Sequence, residues 1–175
     1  MEAKANVRRA RLRFAAIFAV VGGALLTIYS FPYAEHGVRE DWFSRYLAIY
    51  AQLAGLVLRV FDPAVRVVGH DIVGRTSLTV AKNCDAMDVC LLFAAAIVAF
   101  PARWSRRLAG IAAGVSILTA INVLRIASLY YVDLRWPAAF EVIHAEVWPL
   151  VLVALAVAAF LWWSRWVQAT SNATA

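Results

Sequence analysis

Four apolar runs constrain the fold of this chain more than any other feature of its sequence. They cover residues 12–31, 86–100, 108–131 and 146–166. A helix needs about 20 residues to cross a hydrocarbon core about 30 Å thick, and the first, third and fourth runs have that length. The second run is shorter. To cross the hydrocarbon core, it requires extension back through Cys84, snorkelling side chains at its ends or a thinner bilayer.

The composition agrees with a membrane protein. Of the 175 residues, 63% are hydrophobic, and the mean hydropathy of +0.71 lies outside the range of soluble globular domains. The 17 Lys and Arg outnumber the 11 Asp and Glu, but the basic residues lie mainly at the ends of the apolar runs. This placement is typical of membrane topology. We therefore expect the lipid bilayer, and no nucleic acid, among the partners.

Short basic segments predict how the runs are oriented. Arginines precede the first run, a second group lies at residues 103–107, and Arg165 ends the last run. Cytoplasmic loops carry an excess of Lys and Arg, so all three segments are expected in the cytoplasm. The first run has no clear small-residue cleavage site, so residues 1–31 are predicted to be a retained anchor. The pattern thus predicts four crossings with both termini inside.

Two segments between the first and second crossings are predicted to lie outside the membrane. Residues 42–61 are apolar but contain Arg45 and Arg59, and a crossing here would put the basic loop at 103–107 on the outside. We predict an amphipathic helix in the outer interface, with the interfacial aromatics Trp42, Tyr46 and Tyr50. Residues 62–83 alternate between apolar and polar around two glycines, which predicts an extracytoplasmic β-hairpin.

The predicted fold is therefore an all-α polytopic membrane protein with an interfacial helix and a small hairpin, forming one domain over residues 1–175. Its topology brings Cys84, Arg125 and His144 to one depth near the outer face, with residues 84–166 forming the helices that carry them. Arg125 could simply snorkel towards the interface. However, an ionisable group inside a membrane helix is by default a candidate for function, and Asn122 lies one turn away on the same helix face.

Cys84 is the candidate nucleophile. It is expected at the N-terminal end of a helix, where the dipole favours an anion, with Arg125 nearby. Cys90 lies deeper in the apolar run and is expected to be a packing residue. His144 alone would be an ordinary interfacial histidine, but a cysteine nucleophile needs a proton-transfer partner, and imidazole is the usual one. Asp85 and Asp88 are candidates to orient the site, although Asp85 is at least as consistent with a first-turn acid that stabilises the helix start.

These residues lie in segments that resemble the exosortase and archaeosortase family, most closely the exosortase H branch. The resemblance covers residues 62–163, over half the chain. Its carriers are residues 80–84 (VAKNC), 100–104 (FPARW), 121–131 (INVLRIASLYY) and 140–144 (FEVIH). The Asn-x-x-Arg-Ile segment followed by a histidine at this distance is the most specific of them. By resemblance, the family's Cys, Arg and His fall on Cys84, Arg125 and His144.

The resemblance implies a function and a location. It implies a cysteine protease or transpeptidase in the bacterial cytoplasmic membrane, with its site facing outward and no cofactor or metal. The implied substrates are secreted proteins that end in a short motif, a transmembrane helix and a basic cluster. In the implied reaction the Cys84 thiolate attacks the scissile carbonyl, His144 protonates the departing amine, and Arg125 stabilises the oxyanion. Asn122 is a supporting residue.

One departure from the family leaves other functions open. The family usually has a glycine shortly after the cysteine, whereas this chain reads Cys84-Asp85-Ala86-Met87. A non-catalytic assembly or chaperone subunit of an export system therefore remains an alternative. A membrane thiol oxidoreductase is a weaker one, because Cys84 and Cys90 do not form a Cys-x-x-Cys motif and lie about 9 Å apart along a helix axis.

Overall fold

The computed structural model describes residues 2–30 and 38–172 of the chain, with side chains described for residues 5–30 and 43–170. Within these residues the chain is mostly helical and carries one small sheet. The α-helices are α1 (Glu2–Ser30), α2 (Val38–Arg59), α3 (Met87–Ala99), α4 (Trp104–Arg135), α5 (Phe140–Val142) and α6 (Trp148–Asn172). The strands are β1 (Arg66–Val68), β2 (Asp71–Val73) and β3 (Ser77–Thr79).

Three helical segments of the described chain are long and apolar enough to cross a membrane. They are Ala5–Ser30, Trp104–Arg135 and Pro137–Thr170. The chain therefore has the character of a membrane protein. Four crossings were expected, but α3 has only 13 residues, and at 1.5 Å per residue it is about 20 Å long.

The bounds of α3 have local causes at both ends. Ala86, immediately before α3, has a φ of 53° and is the one non-glycine residue of the described chain with positive φ. A left-handed residue interrupts a right-handed helix, so α3 does not extend back through Cys84, which is one of the three ways in which the second run was expected to cross. At the other end, Pro101 disfavours helical backbone at Phe100, and α3 ends at Ala99.

The predicted hairpin at residues 62–83 is instead a three-stranded antiparallel sheet. Its strand order is β1-β2-β3, with Val68 opposite Asp71 and Val73 opposite Ser77. Gly69 occupies the first turn with a φ of 62°, a conformation that glycine adopts at little steric cost. Each strand has three residues, which is too short for the apolar alternation to distinguish two strands from three.

Backbone contacts group the described residues into two compact units. One contains residues 2–30, 87–118 and 154–172, and the other contains residues 38–86 and 119–153. In the first unit, α1 packs on α3, and Gly110 and Gly114 of α4 face the rings of Trp163 and Phe93 so closely that a Cβ would collide with them. Small residues at such positions let helices approach each other.

The second unit has a core made from α2, the sheet and the second half of α4. Its fully buried members are Ala51, Ala54, Leu58, Val65, Ile72, Val80, Ile126, Leu129 and Tyr130. Tyr50, expected as an interfacial aromatic, is 7% exposed and belongs to this core, while Tyr46 is half-buried and donates to the Tyr50 hydroxyl at 3.3 Å. The difference arises because α2 packs against the sheet, and Tyr50 is buried in the cluster that α2 forms with residues of the sheet and of α4. The side chain of Trp42 lies outside the described residues.

Candidate functional site

Cys84 ends a short 3-10 turn that leads out of the sheet. The turn covers Lys82–Cys84, and the Cys84 amide donates to the Ala81 carbonyl at 2.8 Å. The cysteine side chain is buried, with 6% of the residue exposed. The sequence reading placed Cys84 at the start of a membrane helix, and this is wrong. The left-handed backbone at Ala86 separates the turn from α3, which begins three residues after the cysteine.

Asn122 and Arg125 lie one turn apart on α4, and both are buried. The Asn122 side chain is fully buried, and its Nδ2 donates to the carbonyl oxygen of Cys84 at 2.7 Å. Its Oδ1 accepts a hydrogen bond from Nη1 of Arg125 at 3.4 Å. Asn122 therefore fixes the backbone of the cysteine and the orientation of the guanidinium together.

The Arg125 guanidinium joins two segments that are distant in sequence. Its Nη2 donates to the carbonyl oxygen of Asn83 at 3.4 Å and to that of His144 at 3.3 Å. Arg125 is only 3% exposed. A buried charge is tolerated when it is hydrogen-bonded, and intramembrane arginines commonly pair with backbone carbonyls in this way. The guanidinium therefore holds the Cys84 turn and the His144 segment side by side.

His144 lies in a π-helical turn that covers Ile143–Val147. Pro149 accounts for this wide turn, because it has no N–H to donate to Ala145 and its ring would clash with that carbonyl in a regular α-helix. π turns are rare in proteins, and those that occur often lie at functional sites. The His144 ring stacks on Phe140, with centroids 5.6 Å apart and planes 8° apart. Its Nδ1 is shielded from solvent and makes no hydrogen bond within the described part of the chain.

One cavity of about 590 Å³ brings the three predicted site residues together. It lies entirely within the second unit, and its volume falls in the range of about 300–1,000 Å³ that ligand pockets usually have. It is lined by Ser77, Leu78, Thr79, Ala81, Asn83, Cys84, Arg125, Asp133, Phe140, Glu141, His144, Ala145 and Pro149. Asn122 is not in the wall itself but stands behind it, bonded to Cys84 and Arg125.

The two aspartates considered as orienting groups do not line this cavity. Asp85 is buried, and Asp88 is an exposed acid in the first turn of α3. The acidic side chains in the wall are instead Asp133, which accepts a hydrogen bond from the Thr76 hydroxyl, and Glu141. Within the described residues, no cluster of three or more His, Cys, Asp or Glu side chains is arranged to hold a metal ion.

The sequence reading missed two parts of the site. Phe140 lies four residues before His144, and this spacing on a helix indicates a ring contact that could have been predicted. The strand β3 contributes Ser77, Leu78 and Thr79 to the wall, and nothing in the apolar pattern indicated which strand would face the cysteine.

Comparisons of the chain with protein-family models, with curated proteins and with solved structures found no match.

Proposed function

We propose that this chain is a membrane cysteine peptidase or transpeptidase of the exosortase and archaeosortase type, closest to exosortase H. In this proposal it cleaves C-terminal sorting signals of secreted proteins by thiol acyl transfer. The observation that carries the proposal is the single cavity lined by Cys84, Arg125 and His144, with Arg125 bonded to the backbone next to the cysteine and to that of the histidine. A nucleophile, a proton carrier and a cationic donor are the groups that this reaction requires.

The proposed reaction uses the three side chains in sequence. Cys84 gives its thiol proton to His144, and the sulfur forms a bond to the scissile carbonyl carbon, whose oxygen takes the displaced electron pair. Collapse of this intermediate breaks the C–N bond, and the departing amine takes the proton from His144. Water or an amine then attacks the thioester and passes its proton to His144, which returns it to the sulfur as the C–S bond breaks.

Arg125 has two tasks in this proposal. Its bonds to the Asn83 and His144 carbonyls keep the nucleophile and the proton carrier on one cavity wall. At 3.3 and 3.4 Å these bonds are longer than most N–H···O hydrogen bonds. Arg125 also lines the cavity in which the oxyanion would form. A cationic donor in a site sheltered from water stabilises a developing negative charge more strongly than it would in bulk solvent.

The proposed location is the bacterial cytoplasmic membrane, with the cavity facing outward. Basic residues at the start of α1, between α3 and α4 and near the end of α6 favour a cytoplasmic side for those helix ends. In this arrangement α3 makes a fourth, short crossing and α2 lies in the outer interface. A substrate helix could lie beside the bundle with its basic end in the cytoplasm, so that its motif reaches the outer cavity.

The backbone at Ala86 supports the family resemblance. Its left-handed φ is the conformation that glycine adopts most easily. It occurs two residues after Cys84, in the short stretch where the family usually has a glycine. The chain therefore keeps a left-handed backbone shortly after Cys84 although it lacks the family's glycine there. This weakens the case for a non-catalytic subunit, which rested on the missing glycine.

The test is to capture the thioester with a second nucleophile. A secreted protein of the same genome that ends in a short motif, an apolar helix and a basic cluster would serve as the reporter. In membranes that contain both proteins, added hydroxylamine should appear as a hydroxamate at the new C-terminus of the cleaved reporter, in a proportion that rises with its concentration. Cleavage at a normal rate with no hydroxamate would contradict acyl transfer, and no cleavage would favour the assembly subunit.

A further inference from the structure

The strand β3 is an open edge of the sheet. Within the described residues the strand order is β1-β2-β3, so β3 pairs there with β2 on one side only. An edge strand presents unpaired backbone N–H and C=O groups, which makes it a template for pairing with another extended chain. Ser77 and Thr79 are exposed, while Leu78 between them is buried in the core.

The register of the sheet identifies which backbone groups of β3 face outward. Val80 donates to the His70 carbonyl and Gly74 donates to the Thr76 carbonyl, each at 2.9 Å. Hydrogen-bonded pairs alternate with non-bonded pairs along an antiparallel ladder, so Leu78 is the residue whose backbone groups point towards β2. The N–H and C=O groups of Ser77 and Thr79 therefore point away from the sheet.

The three residues of β3 also line the cavity that contains the cysteine. Ser77, Leu78 and Thr79 line it together with Ala81 and Asn83. The chain then reaches Cys84 five residues after Thr79. A peptide paired with β3 would therefore extend along the wall towards the thiol.

We propose that β3 is the substrate-docking strand, and that the extended segment preceding the substrate's transmembrane helix binds as a fourth strand of the sheet. This inference rests on the proposed function and specifies how its substrate is held. Main-chain hydrogen bonds to Ser77 and Thr79 provide affinity for an extended peptide of varied sequence, while the cavity wall selects its side chains. The same pairing orients the scissile carbonyl towards Cys84, because a strand fixes the direction of each successive peptide group.

Photo-crosslinking in the Cys84→Ala protein tests this docking without catalysis. A photo-reactive amino acid would be placed at Ser77 on β3 and, as a matched control, at the exposed Val68 on β1, the opposite edge strand. The probe is the sorting-tail reporter, expressed together with each variant. We expect a crosslink to the segment before the reporter's transmembrane helix from Ser77 and none from Val68.

A proline at the outward edge provides a second variant. Thr79→Pro removes an N–H that the register directs away from β2, so the sheet should form and the thermal midpoint should stay near that of the parent protein. We expect this variant to lose most of the Ser77 crosslink. An undiminished crosslink in a folded Thr79→Pro protein would contradict pairing through the backbone of β3.

The outcomes separate the docking from the proposed function. Equal crosslinking from both edges, or a crosslink from Ser77 to a second copy of this chain, would overturn docking at β3 even if the parent protein cleaves the reporter. A Ser77 crosslink with no cleavage by the parent protein would retain the docking strand and contradict the peptidase. Loss of both crosslinking and cleavage would contradict both.

Discussion

Replacing Ala86 by glycine tests how the cysteine turn is built. Ala86 is 6% exposed and has a φ of 53°. A left-handed backbone costs a residue with a Cβ about 1–2 kcal/mol, which glycine does not lose. Two effects oppose this gain. Glycine stabilises the unfolded state by about 0.4–1 kcal/mol through its greater conformational entropy, and the folded state loses about 0.8 kcal/mol from the burial of the alanine methyl group. These terms nearly cancel, so Ala86→Gly should change the free energy of unfolding by less than about 1 kcal/mol.

Ala127 provides a matched control because it is buried to the same extent, at 6% exposed, but lies inside the right-handed helix α4. Ala127→Gly loses helix propensity of about 1 kcal/mol and methyl burial of about 0.8 kcal/mol, with no relief of the backbone. It should therefore be destabilised by about 2 kcal/mol.

The assay is thermal unfolding of the detergent-solubilised protein, followed by far-UV circular dichroism. In a chain of this length, 2 kcal/mol corresponds to about 4–8 °C in Tm, and the two glycine variants should differ by about that much. Equal losses in both variants would refute the left-handed assignment at Ala86 and the separation of the cysteine turn from α3.

Two further predictions concern side chains of α4. Tyr130→Phe leaves the Arg75 amide without its 2.9 Å bond to the Tyr130 hydroxyl and should lower the free energy of unfolding by about 1–3 kcal/mol. Tyr131→Phe removes a buried hydroxyl that has no hydrogen-bond partner in the described chain, so it should be neutral or stabilising. Equal losses of Tm in the two variants would contradict this contrast. Arg125→Lys keeps the charge but loses the planar fork, in which Nη1 bonds Asn122 while Nη2 bonds the carbonyls of Asn83 and His144. Cleavage of the reporter should therefore slow on the order of 10²-fold or more. A rate within a few-fold of the parent protein would show that charge alone suffices.

The sequence predicted the membrane character and the residues that line the cavity better than it predicted the local structure around them. The length of an apolar run can be read directly from the sequence, and a run of about 20 residues predicts a helix long enough to cross a membrane. The predicted topology placed Cys84, Arg125 and His144 at one depth near the outer face, and all three residues line one cavity in the structure. Their chemical roles remain predictions.

The local structure around the site depends on features that periodicity does not encode. The left-handed backbone at Ala86 shortens α3, although alanine gives no signal for that conformation. The π turn around His144 follows from Pro149, whose missing N–H and bulky ring change the local hydrogen bonding without changing the apolar pattern of the run. The burial of Tyr50 depends on the sheet that packs against α2, a contact between segments that no single-segment pattern can predict.

The rate of reporter cleavage by Cys84→Ala, measured beside Cys90→Ala, tests the central claim most directly. Cys84 lines the cavity, whereas Cys90 is a buried residue of α3 that does not. Both variants should remain folded, because each removes only a thiol, and equal Tm values would establish this. The account predicts that Cys84→Ala abolishes cleavage and that Cys90→Ala cleaves at nearly the parent rate. Normal cleavage by folded Cys84→Ala would contradict the assignment of Cys84 as the nucleophile.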